Sequence, residues 1–83
     1  MDALDGNAIA GALFEHFGHE MTMAAVRCSH CQSTSLMAEL RVYMKAPGAV
    51  ARCPGCDEVV MVIVDVRGTM RFDMSNMEMV NPA

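Results

Sequence analysis

The chain has 83 residues and a formal net charge of −4, with six Lys and Arg against ten Asp and Glu. That length allows one domain with a thin core, and so few scattered cations make a poor footprint for nucleic acid, which rewards clustered positive charge. Apolar residues make up 53%, too many for a disordered chain, yet the longest apolar run, Val59–Val64, falls far short of the roughly 20 residues of a membrane span.

The N-terminus, MDALDGNAIAG, is acidic and no apolar run follows a basic segment. No secretory signal is therefore expected, and the predicted compartment is the cytoplasm. Residues 5–18 are predicted to form an N-terminal amphipathic helix. Asp5 suits the N-cap, and Gly18 sits where a C′ glycine would end the helix. Ile9, Leu13 and Phe17 recur at i, i+4 and i+8, with Ala10 and Phe14 beside them, giving one apolar stripe. Gly6 and Gly11 weaken the intrinsic propensity, so the helix must pack its stripe against something. Ile9, Leu13 and Phe17 are accordingly candidate partner-binding residues.

Residues 21–73 read as a β module. Met21–Arg27 alternates loosely and leads into the first cysteine pair. Leu36–Met44 alternates cleanly, with Leu36, Ala38, Leu40, Val42 and Met44 on one face and Met37, Glu39, Arg41, Tyr43 on the other, and Lys45 following on that second face. Ala46-Pro47-Gly48 signals a turn, and Ala49–Arg52 returns as a short strand into the second pair. Val59–Val66 is dense in Val and Ile, the mark of a strand covered on both faces. Arg67-Gly68 reads as a turn before a pairing strand, Thr69–Asp73. Residues 74–83, carrying Ser75, Asn76, Asn81 and Pro82, are expected to be a short, exposed, frayed tail.

The chemistry-bearing pattern is Cys28-Ser29-His30-Cys31, then Cys53-Pro54-Gly55-Cys56. Two residues between cysteines let a tight turn aim both sulfurs at one ion, with backbone N–H groups turned toward the thiolates. Two such knuckles supply a tetrahedron, which zinc accepts because its filled d-shell imposes no geometry. In a reducing compartment paired CxxC motifs read as metal ligands before disulfides. Cys28, Cys31, Cys53 and Cys56 are therefore the predicted ligands of one structural Zn2+, with iron in a rubredoxin-like site as the alternative. The composition, with no Trp, one Tyr and three Phe, and Asp57 in place of a glycine after the last ligand, argues against iron. Four thiolates and one zinc would bring the charge to about −6. His30 reads as a solvent-facing knuckle residue, and His16 and His19 as solvated side chains near the helix end.

Met74, Met77 and Met79 resemble the thioether clusters that bind Cu(I). Methionine is also a flexible filler of cores and adaptable binding surfaces, and Met37, Met44, Met61 and Met70 fall in predicted strands.

The two knuckles, the hairpin and the strand that follows resemble the zinc ribbon class over residues 21–73. The predicted fold is thus a small, β-dominated α+β domain: a three- to four-stranded antiparallel sheet with two CxxC knuckles and an N-terminal helix, in a single domain over residues 1–83. More narrowly, MDALDGNAIAG followed by CSHC, a KAPG turn and CPGC resembles a family of short bacterial zinc-ribbon proteins classed as a domain of unknown function. That resemblance implies the zinc site and an accessory role beside a flavin- or molybdenum-dependent oxidoreductase.

No Ser–His–Asp set, Gly-rich phosphate loop or carboxylate pair stands out, so the chain is expected to be a non-catalytic, zinc-stabilised interaction module without a small-molecule substrate. A protein partner or a second copy is expected to cover its surplus apolar surface. The alternative is a nucleic-acid-binding or regulatory zinc ribbon, resting on Arg27, Arg41, Lys45 and Arg52 near the hairpin and on analogy of fold.

Overall fold

The computed structural model describes residues 4–45 and 47–80. The chain opens with a 3₁₀ turn, Gly6–Ile9, that runs into helix α1, Ala10–Phe17. Asp5 caps the turn by accepting the Asn7 N–H at 3.0 Å, and Gly18 ends the helix at φ 81°, its N–H donating to the Phe14 carbonyl at 2.7 Å. Both helix signals in the sequence therefore act as capping physics requires.

Seven strands follow: β1 Ala25–Cys28, β2 Thr34–Leu36, β3 Arg41–Lys45, β4 Gly48–Arg52, β5 Val59–Val66, β6 Thr69–Asp73 and β7 Met77–Val80. They form two antiparallel sheets, one of three strands in the order β2-β1-β7 and one of four in the order β3-β4-β5-β6. The small, β-dominated α+β class holds, with the strands divided between two sheets rather than joined in one. Leu4 adds an antiparallel bridge to Val42 at the β3 edge, with N–H to O distances of 2.8 and 2.7 Å.

The division arises inside the segment that reads as one strand, Leu36–Met44. A 3₁₀ turn at Met37–Glu39 breaks it. The Glu39 carboxylate accepts the Leu36 N–H at 2.7 Å and fixes the entry to that turn. The chain changes sheet there, so the alternation resets: Met37 and Leu40 are buried and Met44 is exposed. The Ala46 position of the predicted turn lies outside the described residues.

Ile9 and Leu13 are buried in the chain's own core, at 4% and 0% exposure, with Phe17 packed partly buried against it. This corrects their reading as partner-binding residues, because in this fold the stripe is spent on Val42, Ala49, Met61, Ile63 and the rest of one contiguous cluster. His16 is exposed yet stacks on Phe72 of β6 with ring centroids 4.1 Å apart, which tacks the helix onto the inner face of the larger sheet.

Strand β5 buries one face only. Its burial alternates except at Val60–Met61, both buried, where the register against β4 shifts in a bulge next to Arg52. Val62 and Val64, on the other face, are half-buried, so the expectation of cover on both sides is corrected.

The frayed tail is corrected too. Residues 77–80 pair with β1 in register, Cys28 opposite Met77 and Ala25 opposite Val80. Met77 joins the core and Met74 packs against it, so these methionines serve as filling. Asn81 and Pro82 lie outside the described residues. No helix among the described residues is long and apolar enough to cross a membrane.

Candidate metal centre

Each cysteine pair occupies a hairpin loop. Arg27 pairs with Thr34 and Arg52 with Val59, so the loops are residues 28–33 between β1 and β2 and residues 53–58 between β4 and β5. The two loops share a pattern of three backbone N–H hydrogen bonds. The N–H of Cys28 donates to the Ser33 carbonyl at 3.0 Å and that of Cys53 to the Glu58 carbonyl at 2.8 Å. The N–H of Gln32 donates to Cys28 O and that of Asp57 to Cys53 O, both at 2.9 Å. The His30 N–H donates to Cys28 Sγ at 3.4 Å and the Gly55 N–H to Cys53 Sγ at 3.3 Å. The first loop belongs to the smaller sheet and the second to the larger, so the loops meet across the sheet boundary.

The residue after each pair, Gln32 (φ 64°) or Asp57 (φ 66°), takes the left-handed conformation that closes the turn. Glycine adopts it freely, while an L side chain strains it by about 1 kcal/mol. Asp57→Gly is therefore expected to raise the stability of the metal-loaded chain by roughly 0.5–1 kcal/mol. Urea unfolding measures this, and a lower midpoint would contradict the strain.

All four Sγ atoms lie within 4.8 Å of one another. Cys28 and Cys56 are 3.7 Å apart and Cys31 and Cys53 3.6 Å apart. Four sulfurs about 2.3 Å from a central ion sit about 3.8 Å apart, so these separations fit one ion held by all four. The residues named from sequence spacing thus come together as a cluster that could bind a metal ion. Cys28 and Cys53 are buried, Cys56 is half-buried and Cys31 is exposed, which puts the cluster near the surface.

Ser33 was not legible as part of the site. Its hydroxyl lies 3.0 Å from Cys31 Sγ and 3.7 Å from Cys53 Sγ, touching one sulfur from each loop. A hydroxyl two residues past a knuckle cysteine was the available signal, but serine is too common in turns for the spacing alone to mark it. Gly55 is also tighter than a turn glycine need be, because a Cβ there would meet Ser33 Oγ at 3.2 Å and Cys53 Sγ at 3.6 Å. His30 is exposed, and its backbone serves the site.

The thiols hold their protons unequally. Burial works against the Cys53 thiolate, but the amides of Cys56 and Gly55, the Ser33 hydroxyl and Cys31 outweigh it and bring the pKa down to about 6. Cys31 is also lowered, first by the Ser33 hydroxyl and then by the Ser33 amide. Cys56 goes the other way: the Glu58 amide lowers it, yet burial and its three cysteine neighbours raise it to about 12.

An ion entering the cluster must therefore displace the Cys56 proton throughout the neutral range. Raising the pH makes that displacement easier, so affinity rises with pH, and below about 6, where Cys53 also holds a proton, it falls more steeply. Competition with a chromogenic chelator at a series of pH values reads this directly. An affinity flat across neutral pH would contradict the protonation order.

The model of a family described as a family of unknown function, DUF6510, matches residues 1–83. No curated protein and no solved structure matches the chain.

Proposed function

Because the chain belongs along its whole length to the DUF6510 family of unknown function, membership assigns no role, and we propose one from the site: a non-catalytic interaction module whose two sheets are clipped together by one zinc ion. The observation that supports it most is the meeting of two matched hairpin loops, one from each sheet, on four sulfurs within 4.8 Å. Four protein ligands leave no open coordination position of the kind that catalytic zinc keeps for water or substrate. An ion there ties the sheets, and its binding energy becomes folding energy.

Zinc is favoured over iron because the site needs no redox change to do this work, and because the chain is poor in aromatic residues, with three Phe, one Tyr and no Trp. Metal analysis of chain purified without added metal tests the assignment. About one zinc per chain and a colourless preparation are expected, while one iron per chain with visible charge-transfer bands would replace zinc by an electron-carrier reading.

An accessory role beside an oxidoreductase is the finer form of this proposal, and it rests on resemblance to short bacterial zinc-ribbon proteins. Capture experiments from native cells test it. A chain that stays monomeric and returns no reproducible partner would count against the module reading.

A further inference from the structure

The larger sheet has two unlike faces. The inner face carries Val42, Ala49, Ala51, Met61 and Ile63 into the core. The cross-strand register sets the outer face: Arg41 opposite Arg52, Tyr43 opposite Val50, Val50 opposite Val62, and Val64 opposite Arg71. Every residue named on this face is half-buried or exposed, and none belongs to the core.

Its layout follows the strand order. The two central strands contribute the valines Val50, Val62 and Val64. Arg41 and Lys45 lie on the β3 edge, Arg52 at the end of β4 and Arg71 on the β6 edge. Four of the six Lys and Arg in a chain of net charge −4 thus ring one aliphatic stripe. Among the described residues, the one ion pair is Arg27 with Glu78 on the smaller sheet, so none of these four cations has a carboxylate of a described residue within ion-pair distance. The one acidic side chain on this face of the strands, Asp73, accepts from Ser75 N–H and Oγ at 3.1 and 2.8 Å. Arg52 lies over the Tyr43 ring at 5.9 Å and donates to the Asp57 carbonyl, holding one wall of a shallow groove lined by Tyr43, Lys45, Val50 and Asp57.

An apolar centre with a charged rim is the anatomy of a protein interface, and the rim's sign selects the partner. A second copy presenting this same face would set arginine against arginine. Nucleic acid would find a single aromatic, already under Arg52, where stacking platforms need several. We infer that the outer face of β3-β4-β5-β6 docks a protein segment in which apolar and acidic side chains alternate, the apolar ones against Val50, Val62 and Val64 and the carboxylates against Arg41, Lys45, Arg52 and Arg71. This deepens, and rests on, the reading of the chain as an interaction module.

The test titrates a labelled peptide of alternating Glu and Val into the metal-loaded full chain in low salt, following anisotropy. The comparison is the double variant Arg41→Glu with Arg71→Glu, whose side chains are exposed and outside the core, with its melting curve checked against wild type. Saturable binding that weakens with added salt, and by roughly tenfold or more in the double variant, is expected. No binding to wild type, equal binding to both chains, or tighter binding of single-stranded DNA than of the peptide would each overturn the proposal. Capture from native extract with both chains separates it from the reading it rests on. Equal capture overturns the face alone, and no capture by either overturns the module reading as well.

Discussion

Cys53→Ser is expected to lose the metal and, with it, the cooperative unfolding transition. Cys53 is 2% exposed. Its sulfur has Cys31 at 3.6 Å, receives the Gly55 N–H at 3.3 Å and lies 3.7 Å from the Ser33 hydroxyl. Serine is nearly isosteric, so packing changes little, but a hydroxyl is a far poorer ligand for a thiophilic ion than a thiolate. A structural zinc contributes on the order of 10 kcal/mol to folding, and a domain this small holds a total stability of the same order or less. The loss therefore removes most or all of the margin. Metal content and a far-ultraviolet thermal melt measure it together, and chelation of the wild-type chain should reproduce the melt. A variant that melts like wild type would mean that the cysteines do not hold the fold together.

Gly6→Ala and Gly11→Ala are expected to move stability in opposite directions. Helix propensity alone says both should stabilise, each by up to about 1 kcal/mol. At Gly11, in α1, a new Cβ meets nothing within 4 Å, so the propensity gain should appear in full. Gly6 is buried, and a Cβ there would collide with the Met37 carbonyl oxygen and crowd Ala38 Cα at 2.8 Å. Both obstacles are backbone and cannot rotate away. Either the N-terminal 3₁₀ turn lifts off the Met37–Glu39 turn or the core shifts, at a cost of roughly 3 kcal/mol. Denaturant unfolding of the two variants under one set of metal conditions decides the matter. If Gly6→Ala stabilised the chain, the close approach of those two turns would be refuted.

What could be read from the sequence divides along a physical line. The helix ends were legible because Asp5 and Gly18 act within one turn of their own position. The cysteine cluster was legible because the two-residue spacing within each pair is a local demand of any site that gathers both sulfurs. The turn at Arg67-Gly68 was equally local, with Arg67 at φ 55° and Gly68 at φ 84°. Features set by distant partners were not legible. Leu36–Met44 alternates like a single strand, and its one local contribution to the corner at Met37, the Glu39 carboxylate on the Leu36 N–H, does not stand out against that alternation. That corner exists because Met37 N–H bonds Ala24 O and Ala38 N–H bonds Thr22 O, both at 2.8 Å. Strand β7 forms because β1 offers an open edge some fifty residues earlier. Gly6 looked like a weak helix residue because its neighbour, the Met37 backbone, is remote in sequence. In the candidate site, the four cysteines were legible but Ser33 was not, since its place between two sulfurs depends on the second loop arriving beside it.

The pairing of β7 with β1 bears on how the molecule assembles. Hairpins closed over six-residue loops at 28–33 and 53–58 form within microseconds, whereas joining Ala25–Cys28 to Met77–Val80 must wait for a far longer closure. Both sulfur-bearing loops precede Met77 in chain order, so during synthesis all four thiols emerge before the strand that lies beside Cys28. Until then one edge of β1 is open to any extended chain. An ion captured early would hold the two hairpins together and shorten the remaining search, so metal supply would govern how fast the chain escapes strand pairing with its neighbours as well as how stable it becomes.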